Sequence, residues 1–259
     1  MSQFTGVLRH EFSMSIRRKG LWIAYGLLFL FYSVSLLSPS ADGKIEILAG
    51  QGLWAAAGLM LYRFNLFLPL VGGILAADRL QRDSHIGVRE LQISTPLSRP
   101  VYILSKYLGV LLSILTPVLL WVLAIAIVAI ANGEAPISLL GIMVLAFLAI
   151  AAPAYAFVAA FSLAIPLVLP LRVYQVLFTG YWFWGNFLNP DAFPTLNCTL
   201  LTPGGIFAME GFFGAYFGQS GSALHTPAEA WLNLLVLAAC IVAVLFSLDR
   251  YLNWQLRRA

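Results

Sequence analysis

The sequence predicts an all-α integral membrane protein with six transmembrane helices, and three observations carry that prediction. The chain is 61% hydrophobic and only 10% charged, with a mean hydropathy of +0.88, whereas a soluble domain carries roughly 25% charged residues. Its apolar residues gather into six runs whose lengths suit membrane helices, separated by polar stretches. The cations also divide by side: of 15 lysines and arginines, Lys44 is alone in an outer loop, Arg63 lies well inside the second run, and the other 13 lie in loops or near run ends on the side predicted to be cytoplasmic. A single transmembrane domain over residues 1–259 follows. The net charge of +4 is set by membrane topology rather than by a binding patch, so no nucleic-acid partner is expected.

Residues 2–19 precede the first run. Phe4, Leu8, Phe12 and Ile16 recur every four residues with Val7 beside them, while Arg9, His10, Ser13 and Arg17 fill the other side. This spacing predicts a short amphipathic helix lying in the lipid headgroup plane. Its length and Glu11 argue against a cleaved signal peptide. Arg17, Arg18 and Lys19 then anchor the inner end of the first span, 21–37. A polar loop holding Asp42, Lys44 and Glu46 leads to the second span, 53–77, which contains Arg63, Asn65 and Pro69. The third span, 101–130, contains Pro117. A tight turn with Glu134 separates it from the fourth, 137–169, which contains Pro153 and Pro166. The fifth, 171–188, is short and aromatic, and the sixth is 230–248. Prolines inside such runs are tolerated where neighbouring helices satisfy the freed backbone.

Between the second and third spans lies a polar island, DRLQRDSHIGVRELQISTPLSRPVYILSK, residues 78–106. Each of its charges costs a few kcal/mol at the bilayer centre, so the island belongs in water. Its polar residues recur at helical spacing up to Gly87, which breaks the pattern. Thr95 before Pro96 closes a second short helix. A short helix held between two spans suits docking of a cytoplasmic partner; a solvated loop is the alternative. Asp83, Gly87, Glu90, Pro96, Arg99 and Lys106 occur in that order in RDSHIGVREL, STPLSR and SKYLG. In this the island resembles the first cytoplasmic loop of ABC-2-type transporter permeases, departing from it at Val88 and Arg89, where the family commonly has a threonine and an apolar residue. The resemblance implies the transmembrane subunit of an ABC exporter. It implies a coupling helix between spans 2 and 3 that docks an ABC ATPase subunit through Arg82, Asp83, Gly87, Glu90, Thr95, Pro96 and Arg99. It further implies a dimer with a second permease copy, and ATP and Mg held by the partner ATPase rather than by this chain.

The longest outer segment, 189–229, contains TPGGIFAMEGFFGAYFG, apolar but too short to span. Pro203, Gly204 and Gly205 open it and Gly218 closes it, which reads as a re-entrant or interfacial helix. ABC-2-type permeases are similar in having such a hairpin before their last span. By that resemblance Pro203, Gly204, Gly205 and Glu210 belong to an outer cap over the transport pathway; a simple interfacial anchor is the other reading.

The loop cations place both termini on the cytoplasmic side of the inner (plasma) membrane in a multi-pass topology. No G-x-x-x-x-G-K-[ST] loop is present, so the chain holds no ATP phosphates. His10, His85 and His225 are scattered, and Cys198 and Cys240 lie one in a loop and one in an apolar run, which points to neither a metal site nor a disulfide. Ser220 in GQSG, with His225 nearby, lies in one glycine-rich loop and reads as a turn, so no catalytic residue is expected. Arg63, with Asn65 close by, marks an intramembrane polar site: either it lines the pathway or Arg63 snorkels to the outer surface. Two rivals to the permease reading are a membrane scaffold and an ion-coupled secondary transporter. The latter predicts inverted repeats and acids at mid-membrane, and no Asp or Glu falls within the runs.

Overall fold

The computed structural model describes residues 3–37, 52–85, 98–190, 192–216 and 225–256. Every regular element among them is helical. Helix α1 spans Gln3–Ile16 and α2 spans Lys19–Leu37. The corner between them is closed by the Arg18 amide on the Ser15 carbonyl and by the Trp22 indole N–H, which donates to the Ile16 carbonyl at 2.7 Å. That indole satisfies one of the orphan carbonyls at the α1 C-terminus.

The second run folds as two helices rather than one continuous helix: α3, Gly52–Asn65, and α4, Leu68–Ala76, at a 42° bend. Pro69 in the first turn of α4 lacks an N–H and cannot bond back to the end of α3. Carbonyls freed at a break in a membrane helix need other donors. The Tyr32 hydroxyl of α2 donates to Arg63 O at 3.0 Å, and the Trp182 indole donates to Leu66 O at 2.6 Å. Helix α5, Arg79–His85, follows, and α6 runs unbroken over Arg99–Ala131, 33 residues with Pro117 inside.

The fourth run is continuous but irregular. Helix α7, Leu139–Ala146, passes through a π-turn at Phe147–Ala151 into α8, Ala152–Ala164, and ends in a 3₁₀ turn at Ile165–Leu167. Pro153 and Pro166 each stand in the first turn of a new segment, where their missing N–H does least harm. Helix α9 is Leu171–Asn186, the short helix α10 is Ile206–Phe213, and α11 is Pro227–Leu256. A reciprocal capping box starts α11: Thr226 N donates to Glu229 Oε2 at 2.7 Å and Glu229 N donates to Thr226 Oγ1. It extends past residue 248, the end expected from the apolar run, because Asp249 and Asn253 find partners on its flank.

Among the described residues α6, the α7–α8 unit and α11 are long and apolar enough to cross a membrane, counting the bent α3–α4 pair as a single span gives a fourth, and Lys19–Val34 is a shorter apolar helix. At about 1.5 Å per residue α9 reaches about 24 Å, short of a hydrocarbon core of about 30 Å.

Helix α8 lies at the centre of the bundle, with Ala154, Tyr155, Val158, Ala159 and Ala160 fully buried. Small residues let membrane helices approach closely. A Cβ on Gly72 of α4 would stand 2.8 Å from both the Tyr155 ring and the Tyr25 hydroxyl, and one on Gly73 would stand 2.5 Å from Val158. Trp121 of α6 stacks on Phe29 of α2 and packs on Phe64 of α3, with ring centroids 4.6 and 4.2 Å apart. Helix α9 buries Tyr174, Phe178 and Trp182 against the bundle and exposes Val173, Val176, Leu177, Phe183 and Trp184, a distribution suited to lipid rather than water.

Candidate functional site

Charge is concentrated at the roots of the polar island, where it leaves α4 and where it enters α6. Asp78 and Arg79 form the first root, and Arg99 and Lys106 lie on the second. Between them lies Glu11 of α1. Its Oε2 accepts from the Lys106 ammonium at 2.9 Å, and its Oε1 lies 3.8 Å from Arg79 Nη1. Arg79 Nε in turn lies 3.8 Å from Asp78 Oδ1, and Arg18 Nη1 donates to both Asp78 oxygens at 2.9 and 3.0 Å. The result is one alternating ladder, Lys106–Glu11–Arg79–Asp78–Arg18. Three consecutive members are deeply buried: Glu11 is 5% exposed, Arg79 3% and Lys106 2%. A buried charge is tolerated only when paired, so the five groups depend on one another.

Local packing explains why the ladder can form. Gly109 lies one turn beyond Lys106 on α6, and a Cβ there would come 2.8 Å from Glu11 Cβ and 3.1 Å from the Leu8 carbonyl. Without a side chain at 109, α1 can sit against α6 and bring the Glu11 carboxylate to the Lys106 ammonium. The most buried side chains of α1 are therefore the polar Glu11 and Ser15, while the Phe4–Leu8–Phe12–Ile16 stripe is only half-buried.

The sequence-predicted docking residues are distributed as follows. Arg82 is exposed on α5, and Asp83 follows it on the same helix. Gly87, Glu90, Thr95 and Pro96 lie outside the described residues. Arg99 is half-buried, and its Nη1 donates to Asn253 Oδ1 of α11, whose Nδ2 donates to Asp249 Oδ2 at 3.1 Å. Both roots are thus tied to terminal helices, the first to α1 and the second to α1 and α11. Sequence reasoning passed over Glu11 as a ladder member. The available signal was a lone acid on a cationic helix, facing a lysine several residues inside an apolar run.

At the opposite end, the predicted intramembrane and cap residues meet. Asn65, the last residue of α3, donates from Nδ2 to Gly204 O at 2.8 Å and approaches Ile150 O of the π-turn at 3.4 Å. Pro203, Gly204 and Gly205 are buried. Gly204 has room only for a hydrogen, because a Cβ would lie 2.4 Å from Asn186 Oδ1; Gly205 adopts φ +90° with Ile150 Cγ2 2.7 Å from where its Cβ would be. Asn233 of α11 donates to Leu200 O at 2.9 Å and Thr202 O at 3.1 Å. Three buried asparagines on α3, α9 and α11 therefore surround the loop that opens the cap.

Helix α10 closes at Gly214 (φ +62°), where Gly214 N returns to Glu210 O. That is earlier than the expected closure at Gly218, which lies outside the described residues. Glu210 is buried, and its Oε2 accepts from the His225 amide at 2.9 Å. Trp54 of α3 donates to Phe212 O at 2.8 Å and stacks on Phe213. Helix α10 is thus docked on α3 and α11. Arg63 is half-buried on α3, two residues before Asn65. His225 stacks on Phe207, with ring centroids 4.0 Å apart, and Ser220 lies outside the described residues. Among the described residues no His, Cys, Asp or Glu group could hold a metal ion, and Cys198 and Cys240 are not in a disulfide.

No curated protein matches this chain. A family model described as ABC-2 family transporter protein matches residues 6–252. That match takes in the ion ladder, the polar island, the broken second helix and the outer cap. The chain belongs to the ABC-2 transporter family.

Proposed function

We propose that this chain is the permease subunit of an ATP-driven exporter. Six helical units cross the membrane, α2, α3–α4, α6, α7–α8, α9 and α11, with both termini cytoplasmic. A second permease copy completes the pathway, and ATPase subunits carrying ATP and Mg dock on the polar island. Family membership supports an ATPase partner in general, and the lack of a phosphate-binding loop in the sequence leaves the nucleotide to that partner.

The observation that carries the reading is the anchoring of the island. Its two roots are bound by buried charges to α1 and by hydrogen bonds to α11. A force applied to the loop reaches α4 and α6 together. Rigid helices carry it toward the outer end, where Asn65 joins the α3 break, the π-turn and the cap loop. Irregular backbone at membrane depth is characteristic of transporter helices. In this mechanism motion at the α3–α4 bend pulls Gly204 and lifts the cap.

Tagged permease should retain a nucleotide-hydrolysing subunit on purification. Glu90→Lys should leave the permease folded and inserted but separate ATP hydrolysis from transport. Normal coupling in that variant, or a permease that never retains a hydrolase, defeats the reading and favours a scaffold.

A further inference from the structure

We infer that Glu11 is a positioning residue that fixes the spacing between the two roots of the polar island, so that the two roots move as one lever. The inference rests on the docking reading only for what the lever transmits; the spacing itself is a property of this chain.

Three observations carry it. First, Glu11 divides its carboxylate between the two roots, with Oε2 on Lys106 after the island and Oε1 facing Arg79 before it. No other described acid is in salt-bridge range of cations on both roots. Second, the junction is dry: Glu11, Arg79 and Lys106 are all buried, so water cannot screen the charges or replace the acid. Third, α1 is held on α6 at Gly109 and is joined through Arg18 to Asp78, so the helix bearing Glu11 is itself attached to both roots. Arg79 Nη1 and Glu11 Oε1 make no direct hydrogen bond among the described residues. That half of the junction is therefore Coulombic, and it tolerates small movement without separating.

A group that merely fills space would stabilise the bundle without setting this spacing. The two roles separate in the pair Glu11→Leu with Lys106→Met, which replaces both partners of the closest ion pair by apolar side chains of similar length and leaves Arg79 its contact with Asp78 at 3.8 Å. The experiment uses the full chain in lipid nanodiscs, with Cys198 and Cys240 changed to Ser. Spin labels are placed at Arg82→Cys and Ser98→Cys, two exposed positions flanking the island. Pulsed dipolar spectroscopy reads their separation, and thermal unfolding is followed in parallel.

The native chain should give one narrow distance. Glu11→Gln should add a second, longer population. The paired variant should melt like the native chain yet keep the broadened distances; this variant carries the test if Glu11→Gln does not fold. A paired variant with native melting and a native, narrow distance overturns the proposal and reduces Glu11 to packing. Retention of an ATPase by the tagged native chain is scored separately. If none is retained while the distances behave as expected, the docking reading fails and the spacing role stands.

Discussion

The sharpest energetic consequence of the ladder is an asymmetry between its two closest partners. Glu11→Gln and Lys106→Met abolish the same 2.9 Å ion pair, but they leave different residues behind. The ladder contains three cations, Arg18, Arg79 and Lys106, and two acids, Glu11 and Asp78. Neutralising Glu11 raises its net charge from +1 to +2 and leaves Lys106 and Arg79 facing one another in a dry site. Neutralising Lys106 lowers the net charge to zero and leaves Glu11 with Arg79 at 3.8 Å. At an effective dielectric of about 20, Glu11 gains roughly 6 kcal/mol of gross attraction from Lys106 and roughly 4 kcal/mol from Arg79. Desolvation offsets much of this, and stranding one member of a buried pair is measured at about 3–5 kcal/mol. Glu11→Gln should sit in that range, whereas Lys106→Met should cost about 1–2 kcal/mol, because the surviving acid keeps a cation. With about 2–4 °C per kcal/mol for a chain of this size, the melting temperature should fall by about 6–20 °C in the first variant and by about 2–8 °C in the second, with the first loss the larger of the two. Tryptophan fluorescence during heating in nanodiscs reads both values. Equal losses, or a larger loss for Lys106→Met, would refute the idea that Glu11 is shared between two roots.

Other consequences concern the outer end and the bundle core. Asn65→Leu removes a donor from Gly204 O and should destabilise by about 2–3 kcal/mol, combining a membrane hydrogen bond with an orphaned carbonyl; Asn65→Asp should be worse, since a carboxylate would face carbonyl oxygens, and unfolding midpoints compare the two. Gly205→Ala must hold φ +90° with Ile150 Cγ2 2.7 Å from the new methyl, at a cost of about 1–3 kcal/mol; protease accessibility of the cap in intact membranes should rise with it. Gly73→Leu places atoms 2.5 Å from Val158 and 2.6 Å from Phe178 and should lower folded yield, whereas Gly180→Leu on the outer face of α9 meets nothing within 4 Å and should express normally.

The sequence made some elements legible and hid others for identifiable reasons. The apolar runs marked every long helix because mean hydropathy reports burial in lipid or protein alike. They did not mark the break after Asn65. One proline in an apolar run is compatible with a kink, a π-turn or a straight helix, and Tyr32 and Trp182, which satisfy the freed carbonyls, come from elsewhere in the chain. Helix α11 continues beyond the apolar run 230–248 to Leu256, and spacing does not mark that extension because Asn253 meets Arg99 only in three dimensions. Arg99 read as a docking residue by motif, and its packing against α11 could not be inferred from spacing. Asn65 and the Pro203–Gly204–Gly205 opening were each legible as special, one as a polar group in a span and the other as a turn. That they are one site depends on a contact across 139 positions of sequence.

Composition and apolar run length were sufficient to make this an all-helical membrane protein with one large charged loop, because transfer into hydrocarbon penalises each residue locally and nearly independently of its neighbours. Which charges would be buried was decided only by tertiary structure. Glu11 and Lys106 lie 95 positions apart, and each taken alone would be assigned to water. It is the close approach of α1 to α6 at Gly109 that makes burying both less costly than hydrating either, and pairing energy of that kind exists only once the two helices have met.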